Sequence, residues 1–264
     1  MDVAAKYLTQ LGYPVLLVVW ARFFFNALCL TPILILRRQP LQFRQHFGLQ
    51  FIRTVMLISA TFGFFMGLRT MGVADALAVY FVYPFIITLL SPLFLGERAG
   101  MRRLSAVAVG FLGTLMIIRP GSGTIDPNVG YVLAAAVFFA IYNLLTRKLA
   151  GRAGSWQTLG FQSIVGAVLM SVVAPFVWRT PDLQALSLFA IIGVFSTAGH
   201  FLLIRAYDHA PAPVLAPFSY FEIVSATVLG YLVFGDFPEP MTWAGISVIA
   251  ASGIYIGIRE RKAR

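Results

Sequence analysis

Charged residues are scarce in this chain. Asp, Glu, Lys and Arg make up 11% of its 264 residues, while hydrophobic residues make up 59%. Soluble domains carry roughly 25% charged residues, and a soluble core of this size could not bury so much apolar surface. The composition therefore excludes an ordinary water-soluble enzyme or binding module. It also excludes a disordered chain, which requires low hydrophobicity and a high net charge.

Cysteine, histidine and acidic residues are few. The single Cys29 lies inside an apolar run, which excludes a disulfide within the chain and a thiolate metal cluster. The three histidines, His46, His200 and His209, do not have metal-ligand spacing. Ten acidic residues against 20 basic ones leave a net charge of +10. A basic balance can indicate a nucleic-acid partner, but the sequence has no soluble basic face, so we expect no such partner.

Recognisable catalytic motifs are also missing. The sequence has no G-x-x-x-x-G-K-[ST] phosphate loop, no H-E-x-x-H metal motif and no nucleophile elbow. The run Gly121-Ser122-Gly123 lacks a following Lys and is typical of a turn. We therefore expect a chain that is not an enzyme, has no cofactor or metal and is not driven by ATP.

Apolar runs interrupted by Pro, Gly and charged residues recur along the whole chain. A helix of roughly 20 apolar residues crosses a bilayer, and the stretches between the runs are short. The sequence therefore predicts an all-α membrane protein in a lipid bilayer, with about nine complete spans after a partial first helix at residues 1–8. The expected spans are 14–36, 48–68, 73–95, 104–119, 129–146, 156–178, 185–204, 211–234 and 240–258.

Lys and Arg are concentrated in alternate loops. One set of loops, including the C-terminal tail, holds 14 of them, the other set holds three, and Lys6, Arg22 and Arg53 lie in or near spans. Because cytoplasmic loops carry the excess of Lys and Arg, we expect a protein of the cytoplasmic membrane with its C-terminus in the cytoplasm. The asymmetry also accounts for the basic net charge.

The two halves of the sequence resemble each other. A G-x-F-x-x-x-R pattern occurs at residues 63–69 and again at 199–205. This similarity predicts two repeats, 1–128 and 129–264, of five spans each. Since five is odd, the second repeat enters the membrane from the opposite side, which is the inverted architecture of many secondary transporters. Other matched positions are residues 95–97 with 234–236, Asp2 with Asn143, and Lys6 with Arg147. On this alignment we expect the first helix to be truncated, because the beginning of the sixth span has no counterpart.

Several segments resemble those of a known family, the EamA-type ten-helix transporters of the drug/metabolite transporter superfamily. The resemblance covers almost the whole chain, and these segments look most similar to the S-adenosylmethionine-uptake and riboflavin-uptake branches. It implies alternating access around a midplane cavity that is built from the third, fourth, sixth, eighth and ninth spans. The segments that carry it are Trp20-Ala21-Arg22-Phe23-Phe24, Gly96-Glu97, Ala216-Pro217-Phe218-Ser219-Tyr220-Phe221-Glu222 and Phe234-Gly235-Asp236-Phe237-Pro238.

Charged side chains within the spans need a reason to be there, since each costs roughly 2.5–3.5 kcal/mol at the bilayer centre on insertion scales. Glu222, with Phe218 and Ser225 on the same helix face, could couple protons, bind a cationic substrate group, or tie two helices together. Arg22 could bind a substrate carboxylate. Structural pairing of Arg22 with Glu222 or with a backbone carbonyl is the favoured interpretation.

The other polar residues in spans have simpler expected roles. We expect Arg53 and Lys6 to extend their side chains to the headgroups. His200, with Ser196 one turn earlier, is interpreted as a hydrogen-bonded packing residue, and the alternative is a proton relay. Asn143 is a candidate in the sixth span.

Proline positions point to the binding site. Pro84 in the fourth span and Pro217 in the ninth each remove a backbone donor, and matched interruptions favour a midplane site. The neighbouring aromatic residues could stack on a flat ring or on a cation. These candidates are Tyr80, Tyr83, Phe218 and Tyr220, with Tyr142 beside Asn143 as a further one.

The sequence therefore predicts a secondary transporter of a small organic metabolite, S-adenosylmethionine-like, riboflavin-like or amino-acid-like, driven by an ion gradient or by exchange. The alternatives are an exporter of amino acids or toxic amphiphiles and a non-transporting, truncated membrane protein. A homodimer is compatible with either. Gly63, Gly67 and Gly199 are expected where helices approach closely.

Overall fold

The structure, a computed structural model, describes residues 1–38, 44–95, 101–118, 126–209 and 221–262. Within these ranges the chain forms α-helices joined by short connections, which confirms the all-α expectation. A 3-10 turn, Ala174–Val177, extends α8. The helices are α1 (Asp2–Gln10), α2 (Val15–Leu36), α3 (Phe47–Leu68), α4 (Val73–Tyr80), α5 (Tyr83–Leu95), α6 (Met101–Ile118), α7 (Val129–Leu149), α8 (Ser155–Val173), α9 (Leu183–His209), α10 (Phe221–Phe234) and α11 (Pro240–Lys262).

Six helical segments in the described ranges are long and apolar enough to cross a membrane. They are α2, α3, α4 with α5, α7, α8 with its 3-10 extension, and α9. The other three expected spans, 104–119, 211–234 and 240–258, overlap α6, α10 and α11 and stay a prediction. Large apolar side chains such as Leu36, Phe176 and Leu183 are more than 80% exposed on the outside, where a membrane protein faces lipid.

Some of the closest contacts between helices occur at glycine residues. α3 packs on α7, α2 packs on α8 and α9, and α6 packs on α11. A Cβ at Gly63 would lie 2.7 Å from the Tyr131 carbonyl oxygen, and one at Gly67 would lie 2.2 Å from Val132 Cγ2. Both glycines therefore allow the close approach that was expected. The expectation for Gly199 is wrong, because a Cβ there would meet nothing within 4 Å.

The fourth expected span is interrupted where Pro84 predicts it. α4 ends at Tyr80 and α5 begins at Tyr83. Phe81 N still donates to Leu77 O at 2.9 Å, but Phe85 N donates to Val82 O at 3.1 Å, a tighter three-residue step. Because Pro84 has no N–H, the carbonyl of Tyr80 loses its helical donor. The residues at the break, 80–83, are all buried.

Neither Lys6 nor Arg53 extends outward, so the snorkelling expectation is wrong for both. Lys6 is 4% exposed, forms an ion pair with Asp236 and lies 4.6 Å from the centre of the Phe234 ring. Arg53 is fully buried between α3, α7 and α8. Arg53 has its polar partners inside the bundle, and Lys6 is paired with Asp236, which lies just after the end of α10 and is partly exposed. Each cation therefore has a partner without reaching the headgroups.

Candidate substrate cavity

A cavity of ≈ 720 Å³ lies in the middle of the helical bundle. Pockets of roughly 300–1,000 Å³ are the size that holds small molecules. Its walls come from α1, α2, α3, α4, α5, α7, α9, α10 and α11. On α9 the lining residues fall between Phe195 and Tyr207, and on α10 they fall in the first turns. The cavity therefore extends toward the end of the bundle where α9 ends and α10 begins.

Four aromatic rings form one wall, which we call the aromatic wall: Phe64, Tyr80, Tyr83 and Phe139. The Tyr80 ring centre lies 4.8 Å from that of Phe64, 5.4 Å from that of Tyr83 and 5.4 Å from that of Phe139. Tyr83 meets Phe139 edge to face at 4.9 Å. The interruption before Pro84 lies between the two tyrosines, and both line the cavity. Their role in binding substrate stays a prediction. The wall offers π faces to a flat ring or a cation.

Arg22 lines the same cavity and is 6% exposed. Its Nε donates to Ser196 Oγ at 3.1 Å, and its Nη1 donates to Thr61 Oγ1 at 2.6 Å. Its Nη2 lies 2.7 Å from His200 Nε2. All three of these partners are neutral groups, so the positive charge of Arg22 is held in place by hydrogen bonds to side chains that do not neutralise it.

These contacts fix the tautomer of His200. A guanidinium has only donors, so His200 Nε2 must accept from Arg22, and the ring proton lies on Nδ1. Nδ1 then donates to Tyr142 Oη at 3.1 Å, and Tyr142 Oη donates to Gln162 Oε1 at 3.0 Å. We call this chain from Arg22 to Gln162 the polar relay. In it His200 is neutral, and the relay leads from the cavity to α8.

The remaining candidates occupy the rim of the cavity or lie outside the described residues. Asn143 lines the cavity, donates to Phe139 O at 2.7 Å and accepts from Tyr207 Oη at 3.0 Å. Glu222 lines the cavity at the start of α10, and its side chain is exposed there. Phe218 and Tyr220 fall outside the described part of the chain. The structure thus brings Arg22, Tyr80, Tyr83, Asn143, His200 and Glu222 together around one space.

Sequence reasoning missed Thr61, Tyr207 and the ring of Phe139 as cavity residues. Thr61 also donates to Leu57 O at 2.8 Å, which is how a hydroxyl satisfies itself within any membrane helix. A Thr in an apolar span therefore gives no sequence signal that it faces a cavity. Phe139 is one of 24 phenylalanines and carries no distinguishing pattern.

A hydrophobic helical bundle that encloses a cavity with a buried charge has the build of a membrane transporter. The family model for the EamA-like transporter family matches residues 1–119 and 127–258. The chain belongs to the EamA-like transporter family. As a member it is a multi-pass membrane transporter of a small metabolite.

Curated relatives of this EamA-like chain are named for different cargoes. It is 29% identical to an S-adenosylmethionine uptake transporter of Rickettsia bellii, over 99% of this chain and 90% of the relative. It is 25% identical to a riboflavin transporter of Brucella anthropi, over 94% of this chain and 89% of the relative. It is 30% identical to a pseudopaline exporter of Pseudomonas aeruginosa, over 81% of this chain and 76% of the relative.

A solved crystal structure has the same fold as this EamA-like chain. The two agree with a TM-score of 0.71 at 19% sequence identity, over 100% of this chain and 96% of the other. At that identity the likeness concerns the arrangement of the helices alone.

Proposed function

We propose that this EamA-like chain is a secondary transporter of the cytoplasmic membrane that moves a zwitterionic metabolite with an aromatic ring, of the S-adenosylmethionine class, by alternating access. The observation that carries the proposal is the position of Arg22. It is a buried cation at the cavity whose three hydrogen-bond partners are neutral.

A carboxylate is the natural ligand for such a group. Planar guanidinium groups bind carboxylates through two parallel hydrogen bonds, and a fixed charge in a site shielded from water acts more strongly than one in solvent. Thr61 and Ser196 hold the guanidinium from α3 and α9, so it is oriented before a ligand arrives. This supports recognition of an amino-acid carboxylate.

The other two parts of the cavity match the remainder of such a molecule. The aromatic wall can stack on an adenine ring and attract a sulfonium. The carboxylate of Glu222, on the same cavity, has the charge to bind an ammonium or a sulfonium. S-adenosylmethionine carries a carboxylate, an ammonium, a sulfonium and an adenine, so each part of the cavity has a partner on the ligand. Riboflavin has the flat ring but lacks the charged groups at neutral pH.

The membrane arrangement that accompanies this proposal has nine complete spans, with the short helix α1 before them, and two inverted repeats at 1–128 and 129–264. The 14 Lys and Arg residues of one loop set orient the C-terminus to the cytoplasm. The broken span at Pro84 lines the cavity, which is the usual place for a discontinuous helix in a transporter.

The experiment is a ligand comparison on the purified protein in detergent. Thermal unfolding is followed with S-adenosylmethionine, with decarboxylated S-adenosylmethionine and with riboflavin. A ligand at 100 times its dissociation constant stabilises the folded state by about 2.7 kcal/mol. We expect the largest rise in Tm with S-adenosylmethionine and a much smaller one with the decarboxylated analogue. A larger rise with riboflavin would reject the zwitterionic substrate.

Direction is measured afterwards in vesicles of both orientations. Uptake of labelled S-adenosylmethionine into vesicles with an acidic exterior supports an importer. Extrusion from preloaded vesicles under the same gradient would instead support the exporter.

A further inference from the structure

We infer that His200 is the proton-coupling residue of the transporter and that Arg22 controls its protonation. The inference rests on the proposed function, since it assigns the coupling ion to the same cavity. A substrate carboxylate at Arg22 takes over the Nη2 donor that His200 now occupies. His200 Nε2 then becomes available for one proton from solution, and the substrate and the proton bind together.

The geometry leaves His200 Nε2 no room for a proton in the present state. Nη2 of Arg22 lies 2.7 Å from it, and a donor cannot face a second donor at that distance. Nδ1 is committed to Tyr142 Oη at 3.1 Å. His200 is 7% exposed and lines the cavity, so solution protons can reach it through the substrate space.

The charged and titratable groups around His200 all bear on this exchange. Arg22 on α2 and, beyond the Tyr142 ring, Arg53 on α3 are cations that both oppose a charged imidazole, and the amino group of Met1 is a further cation on the cavity. Arg53 lies 5.1 Å from the centre of the Tyr142 ring, which separates it from His200. Asp2 on α1 and Glu222 on α10 are carboxylates on the same cavity.

Carboxylate binding at Arg22 reverses this balance. The ligand brings one negative charge to the cation nearest His200 and removes the donor from Nε2. A protonated imidazole beside a bound carboxylate is then paired rather than repelled. Release of the carboxylate restores the Arg22–His200 hydrogen bond and expels the proton. Each cycle therefore moves one proton with one carboxylate, and no other reactant is needed.

Glu222 is the rival coupling residue. Its carboxylate is exposed in the cavity, so substrate binding does not have to break a hydrogen bond to reach it. No contact in the described residues links its side chain to the position where the substrate carboxylate would lie. Glu222 shares no hydrogen bond with Arg22 in the described residues, whereas His200 shares the Nη2 donor that the carboxylate would take.

The first test measures proton uptake on binding. S-adenosylmethionine is titrated into the wild-type protein by calorimetry in buffers of different ionisation enthalpy, between about pH 5.5 and 7. We expect uptake of one proton and affinity that rises toward tenfold for each pH unit lowered. H200Q can still accept from Arg22 and donate to Tyr142 but cannot bind a proton. In H200Q we expect no proton uptake and affinity that does not change with pH.

Two controls separate the rivals. E222Q should keep the uptake of one proton, and decarboxylated S-adenosylmethionine should bind to the wild type without proton uptake. If E222Q abolishes the uptake and H200Q retains it, Glu222 is the coupling residue and the inference is wrong. Proton uptake with the decarboxylated ligand would also overturn it.

The second test needs no substrate, so it distinguishes failure of this inference from failure of the proposed substrate. Nitrogen-15 NMR of labelled histidine reports the tautomer directly, with H200Q assigning the signal against the exposed His46 and His209. We expect the wild-type signal of His200 to stay that of the neutral Nδ1–H form from about pH 5 to 8. In R22Q it should bind a proton within that range. An unchanged titration in a folded R22Q protein would reject control by Arg22, even if S-adenosylmethionine does not bind.

Discussion

Two arginines are buried in this bundle, and their surroundings differ in one decisive way. Arg22 and Arg53 both donate to neutral groups, and both lie against an aromatic ring. Arg53 is 0% exposed, donates to the Thr158 backbone oxygen at 2.8 Å and does not line the cavity. Among the described residues Arg22 donates to side chains alone, and it lines the cavity. Arginine therefore has a structural role at position 53 and is a candidate ligand-binding group at position 22.

The contacts of Arg53 explain why it does not depend on a ligand. Nη1 donates to Thr146 Oγ1 at 3.2 Å, and the donation to Thr158 O links α3 to α8. Its Nε and the neighbouring Gln50 Oε1 have no partner in the described residues. The site is closed on all sides, so a substrate could not reach it without unpacking α3 from α7 and α8. A buried cation is thus not evidence of a binding site unless a cavity adjoins it.

The largest expected effect separates the two arginines by ligand affinity. R22Q removes the charge that the substrate carboxylate requires, and losing one partner of such a pair costs about 2–5 kcal/mol. We expect S-adenosylmethionine to bind at least 30-fold more weakly, because 1.4 kcal/mol corresponds to a factor of ten. The measurement is calorimetric titration in detergent.

The matched control is R53Q. R53Q should lower Tm, because the Thr158 carbonyl loses its donor. The affinity of the folded protein for S-adenosylmethionine should stay within about twofold of the wild-type value. An equal loss of affinity in R22Q and R53Q would show that the cavity plays no special part in the function of Arg22.

The next effect tests the aromatic wall, which lines the same cavity as Arg22. Y80A removes the ring that contacts Phe64, Tyr83 and Phe139, and stacking of a base on an aromatic side chain is worth about 1–3 kcal/mol. We expect roughly a tenfold weaker affinity for S-adenosylmethionine, and Y80F should restore most of it. F176A, at a ring that is 85% exposed on the outside, serves as the control. If affinity is lost in Y80A and retained in Y80F, the loss is due to removal of the ring.

The sequence indicated some of the residues that line the cavity but misplaced others, and each outcome has a physical reason. Tyr80 and Tyr83 were predicted because Pro84 dictates a break and a spacing of three places both rings on one face. Arg53 was misplaced because α3 is apolar on every side, so the sequence does not show which face packs on α7. Gly199 was misassigned because small residues suit both a close helix contact and the wall of a cavity.

The polar relay could not be derived from the sequence because its members come from distant segments. Arg22 meets Ser196 and His200 across more than 170 positions in the chain, and each residue alone gives the signal of an ordinary polar residue in a span. The family fold supplies the pairing, through the packing of α2 on α9. Sequence analysis therefore identified the charged residues of interest but not the partners that decide their roles.

A smaller effect concerns charge selectivity. E222Q removes the carboxylate proposed for the cationic part of the substrate. A single exposed charge interaction is worth up to about 1 kcal/mol, so we expect about a threefold to fivefold weaker affinity for S-adenosylmethionine and no change for riboflavin. The two ligands are compared by thermal shift on the same variant. A loss of both to the same extent would mean that Glu222 supports the helix rather than the substrate.

The smallest effect sharpens the comparison, because each arginine has a threonine in the same position relative to it. Thr61 accepts from Arg22 Nη1 and donates to Leu57 O, while Thr146 accepts from Arg53 Nη1 and donates to Tyr142 O. Replacing either threonine by valine keeps the shape and removes both of its hydrogen bonds, of which the one to the arginine is worth about 1 kcal/mol.

That loss should be expressed differently at the two sites. T61V leaves Arg22 less well oriented, so we expect about a fivefold weaker affinity for S-adenosylmethionine, because about 1 kcal/mol corresponds to that factor. T146V removes the same bond from a closed site, so its effect should fall on Tm while the affinity stays unchanged. If T146V weakens binding as much as T61V does, Arg53 acts on the substrate through the Tyr142 ring. The two arginines would then work together in binding, and Arg53 would not be a purely structural residue.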